Sequence, residues 1–130
     1  MIIDTNIYSA LDRADPVVLQ MLTDLPMAYI PVIVLGELRY GFSKGSKTSD
    51  NEIRLNRFLS LDSVEILFLT NETAKAYGEL SFLCSKNGRA LSNNDIWIAA
   101  LALEYKMPIV TFDKDFTVFN DILGDDLIIL

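Results

Sequence analysis

Five acidic residues stand where carboxylates could do chemistry. Asp4 closes the apolar opening "MII". Glu37 interrupts the apolar stretch "VIVLGELRYG". Asp95 precedes the long apolar run "IWIAALAL". Asp113 and Asp115 follow "PIVTF" in "TFDKDF". The chain has no histidine, which removes the commonest general base and every His-ligated metal site. Its single Cys84 has no partner for an internal disulfide or a zinc site. Catalysis must therefore rest on carboxylates, lysine, hydroxyls, the one thiol or a bound metal. Carboxylates held close together repel and raise one another's pKa. A divalent cation resolves that conflict, and hard oxygen ligands suit Mg2+ or Mn2+. Such an ion lowers the pKa of bound water and polarises a phosphoryl oxygen. An enzyme without histidine can hydrolyse a phosphodiester in this way.

Each acid taken alone also has a local explanation. Asp4 could cap the helix after it or close an Asx turn with Thr5 and Asn6. Asp95 lies three residues after Ser92, as in a capping box, and the helix dipole favours an acid there. Asp113 and Asp115 could be turn residues. Glu37 is set among Val34, Leu35, Leu38 and Tyr40, and Arg39, two residues on, falls on a different helical face. The joint placement of these acids, rather than any single one, points to a site.

The elements that would position them read as alternating strands and helices. Residues 1–4 form a short buried strand, followed by a helix over "NIYSALDR". A second helix covers "DPVVLQMLTDL", with Asp15 as N-cap and Pro16 in the first turn. "MAYIP" is a strand, and "VIVLGELRYGF" a helix that ends at Gly41 and the loop beyond it. "NEIRLNRFLSL" is a helix and "VEILFL" a strand. "NETAKAYGELSFLCSKNG" is a long helix capped by Thr70 or Asn71. "NNDIWIAALALEYK" is a helix apolar nearly all round, hence central. "MPIVTF" and "DLIIL" complete the strands. Short, continuous apolar strands alternating with helices specify an α/β fold, a parallel sheet covered on both faces. In such sheets sites form beyond the carboxyl ends of the strands, at a topological switch point. Asp4 and the "TFDKDF" acids are delivered to that edge.

The 130 residues suit one domain spanning 1–130, and a 51% hydrophobic share with mean hydropathy +0.29 supplies a core. No apolar run reaches the roughly 18 residues of a membrane span, and "MIIDTN" lacks the basic start of a signal peptide. The expectation is a soluble, cytoplasmic protein. A net charge of −7 disfavours broad attraction to nucleic acid, although local patches and bound cations matter more than the total.

"MIIDTN", "VIVLGELRYG", "NNDIWIAALAL" and "PIVTFDKDF" together resemble the PIN-domain family. The match is to the VapC-type toxins of toxin–antitoxin pairs, and it extends over nearly the whole chain. The resemblance implies a three-layer α/β/α sandwich with a mostly parallel five-stranded sheet. It also implies an Mg2+- or Mn2+-dependent endoribonuclease. Carried over by motif, the catalytic acids are Asp4, Glu37, Asp95 and one of Asp113 and Asp115, both of which fit. Asp4 and Asp95 would be the main metal ligands. Thr5, Asn6 and Thr111 would support the site by hydrogen bonds. The implied partners are an RNA substrate such as a tRNA or rRNA, a second copy in a homodimer, and a small cognate antitoxin. Tyr8, Leu11, Leu38 and Phe42 are candidate apolar contacts for the antitoxin. Trp97 reads as core rather than a base-stacking residue. Arg39 and Tyr40, beside Glu37, could touch RNA or a partner protein, and Arg54, Arg57, Lys44 and Lys47 read as a solvated basic face rather than as phosphate contacts.

Two other enzyme or signalling classes and one binding class compete. An aspartate-nucleophile phosphatase also places an Asp after its first strand, but wants a second Asp two residues on, where this chain has Asn6. A phospho-acceptor module needs an acceptor Asp after a central strand, where "VEILFLTNE" offers only Glu72. A PIN fold that only binds RNA or protein would not need the full set of acids, and the set is complete.

Overall fold

The computed structural model describes residues 1–89 and 91–130. Five strands form one wholly parallel sheet in the order β3-β2-β1-β4-β5. β1 is Ile2–Ile3, β2 Ala28–Pro31, β3 Val64–Leu67, β4 Ile109–Thr111 and β5 Leu127–Ile129. The first strand is therefore central, with Ile2 opposite both Tyr29 and Ile109. The chain builds outward from β1 to β3, then returns to lay β4 on the other side of β1. That reversal makes the crevice between the ends of β1 and β4 the switch point of the sheet.

The helices are α1 (Thr5–Asp12), α2 (Pro16–Asp24), α3 (Val32–Lys44), α4 (Thr48–Leu59), α5 (Asn71–Lys86), α6 (Asn93–Tyr105) and the short α7 (Asn120–Leu123). Right-handed crossovers put α1–α4 on one face and α5–α7 on the other, which gives the three-layer sandwich. Asp15 caps α2 by accepting the Val17 and Val18 N–H groups, with Pro16 in the first turn. Thr70 caps α5 through a reciprocal box with Thr73. The hydroxyls of Thr70 and Thr73 also donate to Glu104 at 3.0 and 2.6 Å, tying the start of α5 to the end of α6. α6 is the buried helix its composition implies, with Ile98, Ala99, Ala100 and Leu101 fully shielded. Among the described residues no helix is long and apolar enough to cross a membrane.

Two readings of the sequence need correction, and one connection is absent from it. α3 runs through Gly41 to Lys44 instead of ending there; one glycine in a helix costs only about 1 kcal/mol, and the Ser43 hydroxyl bonds back to Arg39 O at 3.0 Å. α4 begins at Thr48 rather than Asn51, where the Thr48 hydroxyl donates to Phe42 O at 2.8 Å and closes the turn. The connection from β4 to β5 is a 3-10 turn over Lys114–Phe119, α7, and a second 3-10 turn over Gly124–Asp126. It has neither the 3.6 nor the 2 periodicity by which elements are recognised. Phe116 and Phe119 on this connection are fully buried and meet edge to face at 6.1 Å.

Trp97 is half-buried and stacks on Tyr77 at 4.0 Å, so one face of its ring is taken up in joining α5 to α6. The basic residues of α3 and α4 are largely committed within the surface. Arg54 grips Asp12 at 2.6 and 3.0 Å, Arg39 pairs with Glu52 at 2.8 Å, and Lys44 lies over the Tyr40 ring.

Candidate active site

A cavity of about 550 Å³ opens at the switch point, lined by Asp4, Glu37, Asp95 and Asp113 together with Thr5, Asn6, Ser9, Arg13 and Phe112. Four segments each deliver one carboxylate. β1 ends directly in Asp4, which is the N-cap residue of α1. β2 passes into α3 without a loop, and the second turn of α3 presents Glu37. Asp95 stands in the first turn of α6, and Asp113 two residues beyond β4.

Asp4 is the most enclosed, only 4% exposed, and its carboxylate is held from three directions. Thr5 N–H donates to Oδ1 at 2.7 Å. Asn6 Nδ2 and the Thr111 hydroxyl donate to Oδ2 at 2.9 and 2.7 Å. Burial pushes the Asp4 carboxyl above its ordinary pKa. The Thr111 and Thr5 donors pull it back, and the charges of Glu37 and Asp113 push it up again. Asp95 is also raised, chiefly by burial. The nearby Ser92 hydroxyl lowers it, and the charges of Asp4, Asp113 and Glu37 raise it. Each of these acids acts electrically on another across the cavity, as one cluster requires.

Thr111 is the hub beneath the carboxylates. Its hydroxyl donates to Asp4 and accepts from Asn6 Nδ2 at 3.0 Å and from the Asp113 N–H at 2.9 Å. Asn6 Oδ1 in turn accepts the Phe112 N–H at 3.0 Å. Thr5, Asn6 and Thr111 thus lock the end of β4 to the end of β1.

The local explanations for Asp4 and Asp95 hold alongside the site. Asp4 does sit at an N-cap, and the Asp95 N–H does donate to Ser92 Oγ at 3.1 Å. Capping fixes the backbone and the carboxylates still face the cavity. The pair in "TFDKDF" separates. Asp113 lines the cavity, while Asp115 is exposed and outside the lining. Asp113 Oδ1 accepts the Asp115 N–H at 2.9 Å, so Asp115 belongs to the first turn of the 3-10 segment that Asp113 caps. Its carboxylate faces solvent.

Four residues of this site are absent from the sequence reading: Ser9, Arg13, Asn94 and Phe112. Asn94 Nδ2 donates to Glu37 Oε1 at 3.0 Å, and the Thr5 hydroxyl donates to Oε2. Glu37 is therefore clasped between α1 and α6, the helices that follow Asp4 and carry Asp95. "SNND" shows a cap but not where its middle asparagine reaches. Arg13 is another, and among the described residues it is the only base lining the cavity. For Asn94→Ala the expected outcome is a roughly tenfold loss in kcat with a melting temperature within about 2 °C of the parent, measured by RNA cleavage and differential scanning calorimetry. Asn94 is exposed, so little packing is lost with it.

The donor set fits a hard divalent cation, being carboxylate and hydroxyl oxygens with no nitrogen or sulfur ligand. Among the described residues no three acids are gathered closely enough to enclose an ion by themselves.

The comparisons with known proteins agree with this geometry. The family model described as "PIN domain" matches residues 1–121. Ribonuclease VapC1 of Haemophilus influenzae (strain R2866) is 30% identical over 95% of each chain. Ribonuclease VapC5 of Mycobacterium tuberculosis is 29% identical over 98% of this chain and 93% of its own. Among solved structures, VapBC2 from Rickettsia felis, bound to a DNA fragment from its promoter, superposes with a TM-score of 0.82. It is 31% identical, with 99% of this chain and 96% of that chain covered. A PIN model that runs unbroken from the Asp4 strand past Asp113, joined to a relative of this identity over almost its full length, leaves one assignment: the chain belongs to the PIN domain family.

Proposed function

We propose that this protein is an endoribonuclease toxin that hydrolyses RNA phosphodiester bonds with the help of Mg2+ or Mn2+, and that a small antitoxin neutralises it. The reading is carried by one observation: Asp4, Glu37, Asp95 and Asp113 converge from four segments on one open cavity at the sheet's switch point. The names of the relatives, all ribonucleases, support the same chemistry.

In this mechanism Asp4 and Asp95 would hold the ion, which when bound would lower the pKa of water and offset negative charge on the phosphoryl oxygens. The protein does the rest. Three donors fix the Asp4 carboxylate in one orientation, and the Thr5–Glu37–Asn94 clasp fixes Glu37. Glu37 and Asp113 then orient the attacking water by accepting its hydrogen bonds. The openness of the cavity to solvent suits a looped, single-stranded segment of a tRNA or rRNA, whose unpaired bases can be splayed out.

The antitoxin would cover apolar surface beside this cavity. Val32, Ile33, Gly36 and Tyr40 line a second cavity of about 350 Å³ that shares Glu37 with it. None of the apolar contacts expected from sequence lines that surface: Leu11 lines a separate cavity at the amino ends of β2 and β3, Tyr8 and Leu38 are core residues, and Phe42 packs against the core. A basic antitoxin side chain reaching the carboxylates would replace the ion's charge. A solved structure from Mycobacterium tuberculosis that this chain resembles is described as a member of the VapBC family of toxin–antitoxin systems, which supports the partner. A homodimer is part of the same proposal.

The test is cleavage of structured RNA by the purified, antitoxin-free protein with Mg2+, beside Asp4→Asn and Asp95→Asn. Expected are cleavage products that vanish with EDTA, return with Mg2+ or Mn2+, and are lost in both variants. Equal cleavage by parent and variants would overturn the assignment.

A further inference from the structure

We propose that Arg13 is a phosphate-binding residue at the rim of the acidic cavity, gripping the RNA backbone beside the bond that is cut; this rests on the ribonuclease reading. Arg13 follows α1 as its C-cap residue. Thr5, Ser9 and Arg13 all line the cavity, and their spacing of four places them on one stripe of the helix. At about 1.5 Å per residue, Arg13 lies about 12 Å along the axis from Thr5. The stripe therefore runs from the carboxylates outward, hydroxyl to hydroxyl to guanidinium.

What makes Arg13 available is the commitment of the acids around it. Asp12, its immediate neighbour, is held by Arg54 at 2.6 and 3.0 Å. Asp15, two residues on, is occupied in accepting the Val17 and Val18 N–H groups. Among the described residues Arg13 forms no ion pair, and its side chain is exposed. A cation that borders four carboxylates without pairing to any of them is placed for an anion brought from outside. On an acidic protein, such a cation also answers how a polyanion approaches the cavity at all. Guanidinium is suited to the task, since its planar fork matches phosphate oxygens. The scissile phosphate belongs to the Asp4 end, so Arg13 takes a phosphate farther along the same strand. Such contacts set the register of the strand without reading its sequence.

The test compares the parent, Arg13→Gln and Arg13→Lys on one RNA that the parent cleaves with Mg2+, in salt between about 50 and 200 mM. Glutamine keeps most of the side-chain stem, so packing is preserved. The expected result for Arg13→Gln is a KM about five- to tenfold higher with kcat little changed, the signature of lost binding common to ground and transition states. The slope of log(kcat/KM) against log salt should become shallower by about 0.7, the share of one phosphate contact on a single strand. Arg13→Lys keeps the charge and should keep the slope. An unchanged KM and slope in Arg13→Gln would overturn the assignment and leave Arg13 for a carboxylate on a protein partner. Failure of the parent to cleave any RNA would be seen before Arg13 is altered, and would remove the ribonuclease reading and this inference together.

Discussion

Replacing Asp95 with asparagine is expected to reduce RNA cleavage by more than about 100-fold while raising the melting temperature of the metal-free chain by about 2–4 °C. The two effects share one cause. In the folded protein burial and three neighbouring acids raise the Asp95 pKa above its ordinary value. A carboxyl with a raised folded-state pKa binds more protons in the native than in the unfolded chain. Stability therefore falls as pH rises from the unfolded pKa through the raised folded one, and the full penalty is present above it. Asparagine removes the charge and with it the penalty. Metal reverses the order, because an ion that binds only the folded state stabilises it by mass action. Excess Mg2+ should raise the melting temperature of the parent and leave that of Asp95→Asn nearly unchanged. Calorimetry across pH 4 to 8 with EDTA or Mg2+ (roughly the window in which carboxyls lose their protons) measures both. A variant that is less stable than the parent in EDTA would contradict this account.

Thr111→Val is expected to destabilise the protein by about 3 kcal/mol, lowering the melting temperature by about 10 °C. Valine matches threonine in shape, so no cavity opens and the loss is polar. One hydroxyl fully shielded from water serves three partners. Asn6 Nδ2 retains Asp4 Oδ2, but the Asp113 N–H loses its acceptor, and a half-buried donor without a partner is expensive. The Asp4 pKa should also rise further, since the Thr111 hydrogen bond is the first of the influences that lower it. Thr111→Ser keeps the hydroxyl and should recover most of the stability, which separates the hydrogen-bond hub from simple packing.

The acids at strand ends were legible because local rules place them. A short apolar run ending in Asp4, and another followed by "DKD", put carboxylates at one edge of any parallel sheet. Choosing between Asp113 and Asp115 required the 3-10 turn, whose irregular apolar spacing carries no period. Asn94 and Arg13 were not legible for a related reason. An asparagine in a capping sequence and an arginine closing a short helix are both ordinary. Their meaning comes from contacts made across the fold, such as the 57 residues separating Asn94 from Glu37. The helix boundaries at Gly41 and Thr48 turned on single hydroxyl-to-carbonyl bonds, to which composition is blind.

The central place of β1 has a consequence for the order in which the protein becomes dangerous. Asp4 is made early, but the hydroxyl that holds it, Thr111, lies 107 residues later. During synthesis the chain can lay β2 and β3 beside β1, yet the β4 side of that strand stays open until Thr111 has emerged. Contacts of such long range form late. Asp95 and Asp113 also belong to this late portion. A ribosome-bound chain thus carries Asp4 without a site to use it in until Asp95, Thr111 and Asp113 have followed. Cutting activity should appear only when the last strands close, which leaves the partially made protein harmless to the RNA that surrounds it.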